Sequence, residues 1–241
     1  MSLRKAFWRR YRELRRRVLG VPATGGVNFG ELRRVQPFGR HFGEDRGRAL
    51  DRYYIEGFLA THAADIRGRV LEIGEDRYTR QFGGDRVTRC DVLHVSPGNP
   101  RATIVADLTD APQVPDATFD TAIITQTLHL IYDVGSAIRT IHRVLKPGGV
   151  LLLTVPGITQ IPHGTTWAST WFWSFTPLAV TRVLAQSFGS DVLTVQSHGN
   201  VLSAAAMLYG LSSDDLTPDE LDTADPDYPV IIGARAMRGH T

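Results

Sequence analysis

The sequence predicts an α/β domain with a doubly wound, seven-stranded, Rossmann-like sheet. Three observations carry this. Short apolar runs alternate with amphipathic segments along most of the 241 residues. One run, Val70-Leu71-Glu72-Ile73, stops at Gly74 and leads into a segment that reads as a helix start. Strand, glycine turn and helix start form the arrangement that holds a nucleotide-like ligand at the carboxyl end of a parallel sheet. Two later runs, 122–124 and 151–153, are apolar throughout, as strands buried on both faces should be.

Residues 3–19 read as a helix, because Leu3, Phe7, Tyr11, Leu14 and Val18 recur at three- and four-residue spacing. Eight cations (Arg4, Lys5, Arg9, Arg10, Arg12, Arg15, Arg16 and Arg17) stand there against Glu13 alone. Such a helix either docks by its apolar stripe or touches a membrane, nucleic acid or an acidic partner. A single short charge run is usually a solvated face, which favours docking. Glycines 20, 25 and 26 with Pro22 end the helix, so 1–26 form a basic helix and linker. Residues 27–48, dense in charge and punctuated by Gly30, Gly39, Gly43 and Gly47, read as an ordered lid. A helix over 51–64 presents Tyr54, Ile55, Phe58 and Leu59 on one face and completes a lid-and-helix segment, 27–66.

The α/β domain proper, 67–241, supplies strands at 70–73, 87–93, 103–106, 119–125, 150–155, 192–196 and 230–236. A helix over 134–145 is closed by Lys146-Pro147-Gly148-Gly149. An apolar helix over 201–211 joins the last two strands, which makes them an antiparallel edge. Residues 156–177 form an insertion with three tryptophans, Trp167, Trp171 and Trp173. They either wall a substrate pocket or cap the end of the sheet.

An apolar fraction of 42% and a charged fraction of 22% are those of a soluble globular chain. A net charge of +2 excludes a global field for nucleic acid. The lone Cys90 excludes an intrachain disulfide and a cysteine zinc cluster, and a reducing cytoplasm is the simplest compartment. No run approaches the roughly 20 apolar residues of a membrane span, and no apolar core follows the basic start as in a signal peptide. No metal-ligand spacing is present, so no metal is expected.

The motifs Val70-Leu71-Glu72-Ile73-Gly74, Asp107-Leu108, Phe119-Asp120 and Leu145-Lys146-Pro147-Gly148-Gly149-Val150-Leu151 resemble, in order and spacing, the class I S-adenosylmethionine-dependent methyltransferases, in particular the small bacterial methyltransferase-domain group. The resemblance covers 48–236 and implies S-adenosylmethionine as cofactor. It implies that Gly74 approaches the amino-acid end and that Asp91, nineteen residues after Glu72, accepts the ribose hydroxyls. Asp107 would accept from the adenine amino group, Leu108 would donate its N–H, and Gln126 and Leu128 would floor the site. The family's second glycine is missing, because Glu75 and Asp76 stand in its place. An acid there needs a cation, Arg77 or Arg80, and either Tyr78 and Thr79 replace the lost loop contacts or the cofactor site is weakened.

Candidate bases are His41, Asp45, Glu56 and His129, with Arg46, Tyr53, His163, Trp167 and Trp171 as substrate contacts. The leading expectation is methylation of a small sugar-containing or secondary-metabolite acceptor. The alternatives are an enzyme of this fold that catalyses a cyclisation or elimination instead, with Asp45 or Glu56 as base, and a non-catalytic subunit that supports a partner. The chain is expected to form a homo- or hetero-oligomer, or to work alone.

Overall fold

The computed structural model describes residues 3–163 and 169–240. The chain divides into two compact units, Met1–Gln36 and Pro37–Thr241, the boundary falling inside the expected lid segment. The first unit holds helix α1, Leu3–Val18, and a short 3-10 turn at Gly30–Leu32.

The second unit is built on strands β1 (Gly68–Ile73), β2 (Val87–His94), β3 (Ile104–Val105), β4 (Phe119–Thr125), β5 (Leu145–Pro156), β6 (Leu193–His198) and β7 (Ile231–Met237). They form one seven-stranded sheet in the order β3-β2-β1-β4-β5-β7-β6. Strands β1 to β5 are parallel, and β7 runs antiparallel to both β5 and β6. This is the doubly wound sheet with the antiparallel edge that the sequence predicts.

Helices cover both faces, which explains why the central strands are apolar throughout. Leu71, Ala122, Ile124, Leu151 and Leu153 point to one face and pack with α3 (Val134–Val144) and α4 (Pro177–Phe188). Val70, Ile123, Val150 and Leu152 point to the other and pack with α2 (Leu50–Thr61), α5 (Val201–Tyr209) and α6 (Pro218–Asp222). The period of two is intact, with each parity buried under its own helices.

Three elements differ from expectation. The helix after Gly74 is only a π-helical turn, Thr79–Gly83, followed by a 3-10 turn. The Lys146–Gly149 stop is absorbed into β5 as a bulge, because Phe119 pairs with Leu145 while Thr121 pairs with Val150. Helix α4 goes unread in the sequence, although Thr176 caps it by accepting from the Ala179 N–H at 3.1 Å and Pro177 opens it. No helix among the described residues is long and apolar enough to cross a membrane.

Candidate active site

The carboxyl ends of β1 and β4, adjacent strands at the point where the strand order reverses, form the crevice where open α/β sheets bind ligands. Its two sides are built from different chemistry.

On the β1 side, Glu72 is 2% exposed. Its carboxylate accepts the backbone N–H of Tyr78 at 2.9 Å and of Thr79 at 2.8 Å, which folds the following loop back onto the strand. Burial raises its pKa, opposed by these bonds. Gly74 has φ of +80°, and a Cβ there would meet no atom within 4 Å. The backbone turns in the left-handed region beside open space, a place where a ligand can reach the main chain. Its carbonyl accepts from the Asn99 side-chain amide at 2.5 Å, and its N–H donates to Leu93 at 2.9 Å.

The acids that replace the second glycine are charge-compensated. Arg80 pairs with Asp76 at 2.5 Å, and Arg101 lies 3.5 Å from Glu75 and 3.7 Å from Asp76. Arg77, the other expected partner, turns away to Glu56 at 3.1 Å. These groups line an open hollow of about 480 Å³.

On the β4 side the chemistry is aromatic. Gln126, the residue after β4, has φ of +45°, a strained conformation for a residue with a side chain, held by its N–H on the Thr154 carbonyl at 2.9 Å. A 3-10 turn, Leu128–Leu130, follows and carries His129, which is 3% exposed. The His129 ring lies 4.3 Å from that of Trp171, and Phe42 stacks on Trp171 at 6.2 Å and 9°. Phe42 also has positive φ, +56°. The His129 Nδ1 and the Trp171 Nε1 are buried without a hydrogen-bond partner. Burial pulls the His129 pKa down to about 4, so the ring is neutral at physiological pH. Unpartnered buried polar atoms are costly, and Asp76 Oδ1, Thr79 Oγ1, His198 Nε2 and Arg238 Nε share that state among the described residues.

Several sequence candidates sit elsewhere. Asp91 is not at the crevice. It lies opposite Leu71, three residues short of the end of β2, and is bonded to Arg69 and Arg89, both at 2.7 Å. Burial works against its charge, yet the two guanidiniums hold its pKa low. His94 occupies the strand end instead. Tyr78 packs its ring in the core and accepts from Arg52 at 2.8 Å. Asp107 is exposed and accepts from the N–H and hydroxyl of Thr109, both at 2.8 Å, while the Leu108 side chain is buried.

Among the candidate bases, Glu56 bridges Arg48 and Arg77. His41 is exposed, and Asp45 folds over Gly39 within the lid. Arg46 holds Asp215 through two bonds of 3.1 and 2.8 Å, and Tyr53 donates to Asp222 at 2.7 Å, so both fasten the lid and α2 to the 212–222 segment. His163 is exposed, and Trp167 lies outside the described residues. The lid runs along the end of α5. A Cβ on Gly210 would meet the Gly39 carbonyl at 2.0 Å, and one on Gly43 would meet the Leu211 carbonyl at 2.3 Å. Gly39 and Gly43 therefore serve close backbone approach, and Phe42 is the lid side chain that reaches Trp171.

Phe42, Asn99 and Arg101 were not singled out by sequence. A short polar Asn and an Arg in the loop after β2 give no periodic signal, and Phe42 reads as one apolar residue in a charged loop.

Residues 68–153 match the family model described as "Methyltransferase domain". A Mycolicibacterium smegmatis protein named "Probable S-adenosylmethionine-dependent methyltransferase" is 32% identical over 101 residues, covering 42% of this chain and 35% of that protein, about a third of its length. The structure of a SAM-dependent methyltransferase from Archaeoglobus fulgidus superposes with a TM-score of 0.53 at 11% identity, over 78% of this chain and 94% of that one. The [4+2]-cyclase SpnF superposes with a TM-score of 0.50 at 17% identity, over 86% of this chain and 89% of that one. At such identities the two structures speak for the fold alone.

Proposed function

We propose that this chain, whose residues 68–153 match a methyltransferase domain, is a class I S-adenosylmethionine-dependent methyltransferase that binds S-adenosylmethionine at the turn after β1 and methylates a small sugar-containing or secondary-metabolite acceptor. The observation that carries this reading is the positive-φ Gly74 facing open space beside the compensated acids. The amino-acid end of the cofactor is a zwitterion. The Gly74 carbonyl and the carboxylates of Glu75 and Asp76 offer acceptors to its ammonium, and Arg80 and Arg101 relieve the repulsion of its carboxylate. Asp107 and Leu108 are kept as the adenine contacts and Gln126 as part of the floor. When bound, the cofactor supplies a methyl group activated by a sulfonium.

The rest of the work falls to the β4 side. Phe42 and Trp171 exclude water from the acceptor. The neutral His129 ring accepts a hydrogen bond from an acceptor hydroxyl and orients its oxygen. Its depressed basicity suits orientation better than proton storage. Under this reading Glu56, tied to two arginines, drops out as base, and Asp45 and His41 in the lid are secondary candidates.

A second reading rests on Asp91 and Asn99. With Asp91 spent on arginines and Asn99 on the Gly74 carbonyl, an enzyme of this fold that cyclises or eliminates instead of methylating is supported. Calorimetric titration of the purified chain with S-adenosylmethionine separates the two. Micromolar binding is expected, and absence of heat at high concentration overturns the methyltransferase reading.

A further inference from the structure

The whole-chain charge of +2 conceals a segregation. Residues 1–36 carry ten Lys and Arg against two Glu, a net of +8, while residues 37–241 carry seventeen against twenty-three acids, a net of −6. The first unit is thus a concentrated cation on a chain that is otherwise acidic.

Within it, α1 has an ordered apolar side. At 3.6 residues per turn, Phe7, Leu14, Val18 and Tyr11 fall within an arc of about 60°. Arg4 and Arg15 border one edge of that arc, and Arg10 borders the other. Phe7 and Trp8 meet edge to face at 6.1 Å, as do Trp8 and Tyr11 at 5.7 Å, so the aromatic side chains form a continuous group. Phe7, Leu14 and Val18 are largely exposed, and Trp8 and Tyr11 are half exposed beside their ring neighbours. Low overall hydrophobicity, an aromatic stripe and arginines along both of its edges are the features of a helix that lies in a membrane interface. The arginine stems extend along the apolar boundary and keep their heads in the phosphate layer. Aromatic rings with a polar edge favour the same depth.

We propose that α1 is an interfacial anchor that binds the anionic phospholipid surface of a membrane, independently of the crevice. A polynucleotide would use the cations and leave the stripe in water. Phospholipid uses both, which is why charge and stripe together select it.

Co-sedimentation of the full chain with vesicles tests this. Vesicles of phosphatidylglycerol mixed with phosphatidylcholine are expected to capture the protein, and pure phosphatidylcholine is not. Added salt weakens the capture. The triple change Arg10→Gln, Arg15→Gln, Arg16→Gln is expected to lower partition on the order of a hundredfold, at roughly fivefold per arginine. The double change Phe7→Glu, Leu14→Glu is expected to abolish it, with the thermal unfolding of the 37–241 unit unchanged. Failure of the unaltered chain to bind anionic vesicles overturns the proposal, as would a stripe occupied by the protein itself. Capture that survives the double change, or binding to polyuridylate in place of vesicles, overturns it as well.

Discussion

The two sides of the crevice handle polar groups with different chemistry, paired charges after β1 and neutral groups among aromatic rings after β4. After β1 the acids are charged and paired: Glu72 takes two backbone N–H groups, and Arg80 and Arg101 answer Asp76 and Glu75, although Asp76 Oδ1 and Thr79 Oγ1 are buried without a hydrogen-bond partner. After β4, the polar atoms are neutral, and the Nδ1 of His129 and the Nε1 of Trp171 are buried without a partner. Paired charges and the two N–H bonds of Glu72 hold the shape of the loop. An unsatisfied pair costs stability until a ligand meets it. Under the proposed function, the β1 side is scaffold with a ligand turn in it, and the β4 side is where the acceptor is recognised.

The largest test of that contrast is Glu72→Ala. It strips the acceptor from two buried N–H groups, and a loss of about 2–4 kcal/mol is expected at 1–3 for each orphaned group, less the relief of a desolvated carboxyl. Urea unfolding measures it, and Glu72→Gln, which keeps one acceptor oxygen, should recover part of the loss. A change below about 0.5 kcal/mol, the range of an ordinary surface substitution, would remove the scaffold role.

His129 gives the opposite response and a pH signature. The unfolded ring binds a proton near pH 6.5, while the native ring refuses it until about pH 4. Between those values the unfolded state holds more protons, so stability falls as pH drops through the window and is unaffected above it. At pH 4.5 the loss from this group is about 2.5 kcal/mol. His129→Leu is expected to be neutral or stabilising at pH 7, to flatten this part of the acid limb, and to lower turnover. Unfolding curves at the two pH values for both chains check it, and an unchanged acid limb would show that the ring is not the buried neutral group.

What the sequence discloses divides along the same line. The sheet was readable because its physics is local and periodic: the runs at 122–124 and 151–153 alternate between two helical layers, so both parities are apolar. The Gly74 turn was readable for the same reason. Asp91 misled because counting residues from Glu72 measures chain length and not register, and β2 continues past it to His94. Asn99, Arg101 and Phe42 were silent because their roles depend on where loops return in space. The Thr176-Pro177 start of α4 was available as a local signal, but it followed directly on the aromatic insertion and merged with it.

A smaller effect is expected at Gly74 itself. Gly74→Ala adds a methyl group to a position with open space but φ of +80°, so strain of about 1 kcal/mol follows without a clash. The methyl group occupies the space offered to the ligand, and S-adenosylmethionine affinity should fall by more than the stability change alone accounts for. Calorimetry on Gly74 and Gly74→Ala proteins compares the two. Equal affinities would place the cofactor elsewhere.

The smallest change sharpens the comparison most, because it asks whether the β1 side is wholly scaffold. Asn99 is the side-chain donor on the Gly74 carbonyl, the main-chain acceptor at the head of the turn. Its removal in Asn99→Ala costs at most about 1 kcal/mol, since the half-exposed carbonyl can turn to water. If that carbonyl belongs to the cofactor's ammonium, Asn99 competes with the ligand, and Asn99→Ala binds S-adenosylmethionine several-fold more tightly despite lower stability. Affinity and stability falling together would instead make Asn99 part of the frame that holds the turn open. The expected outcome is the first, because the Gly74 N–H on Leu93 and the two bonds of Glu72 already fix the turn without it.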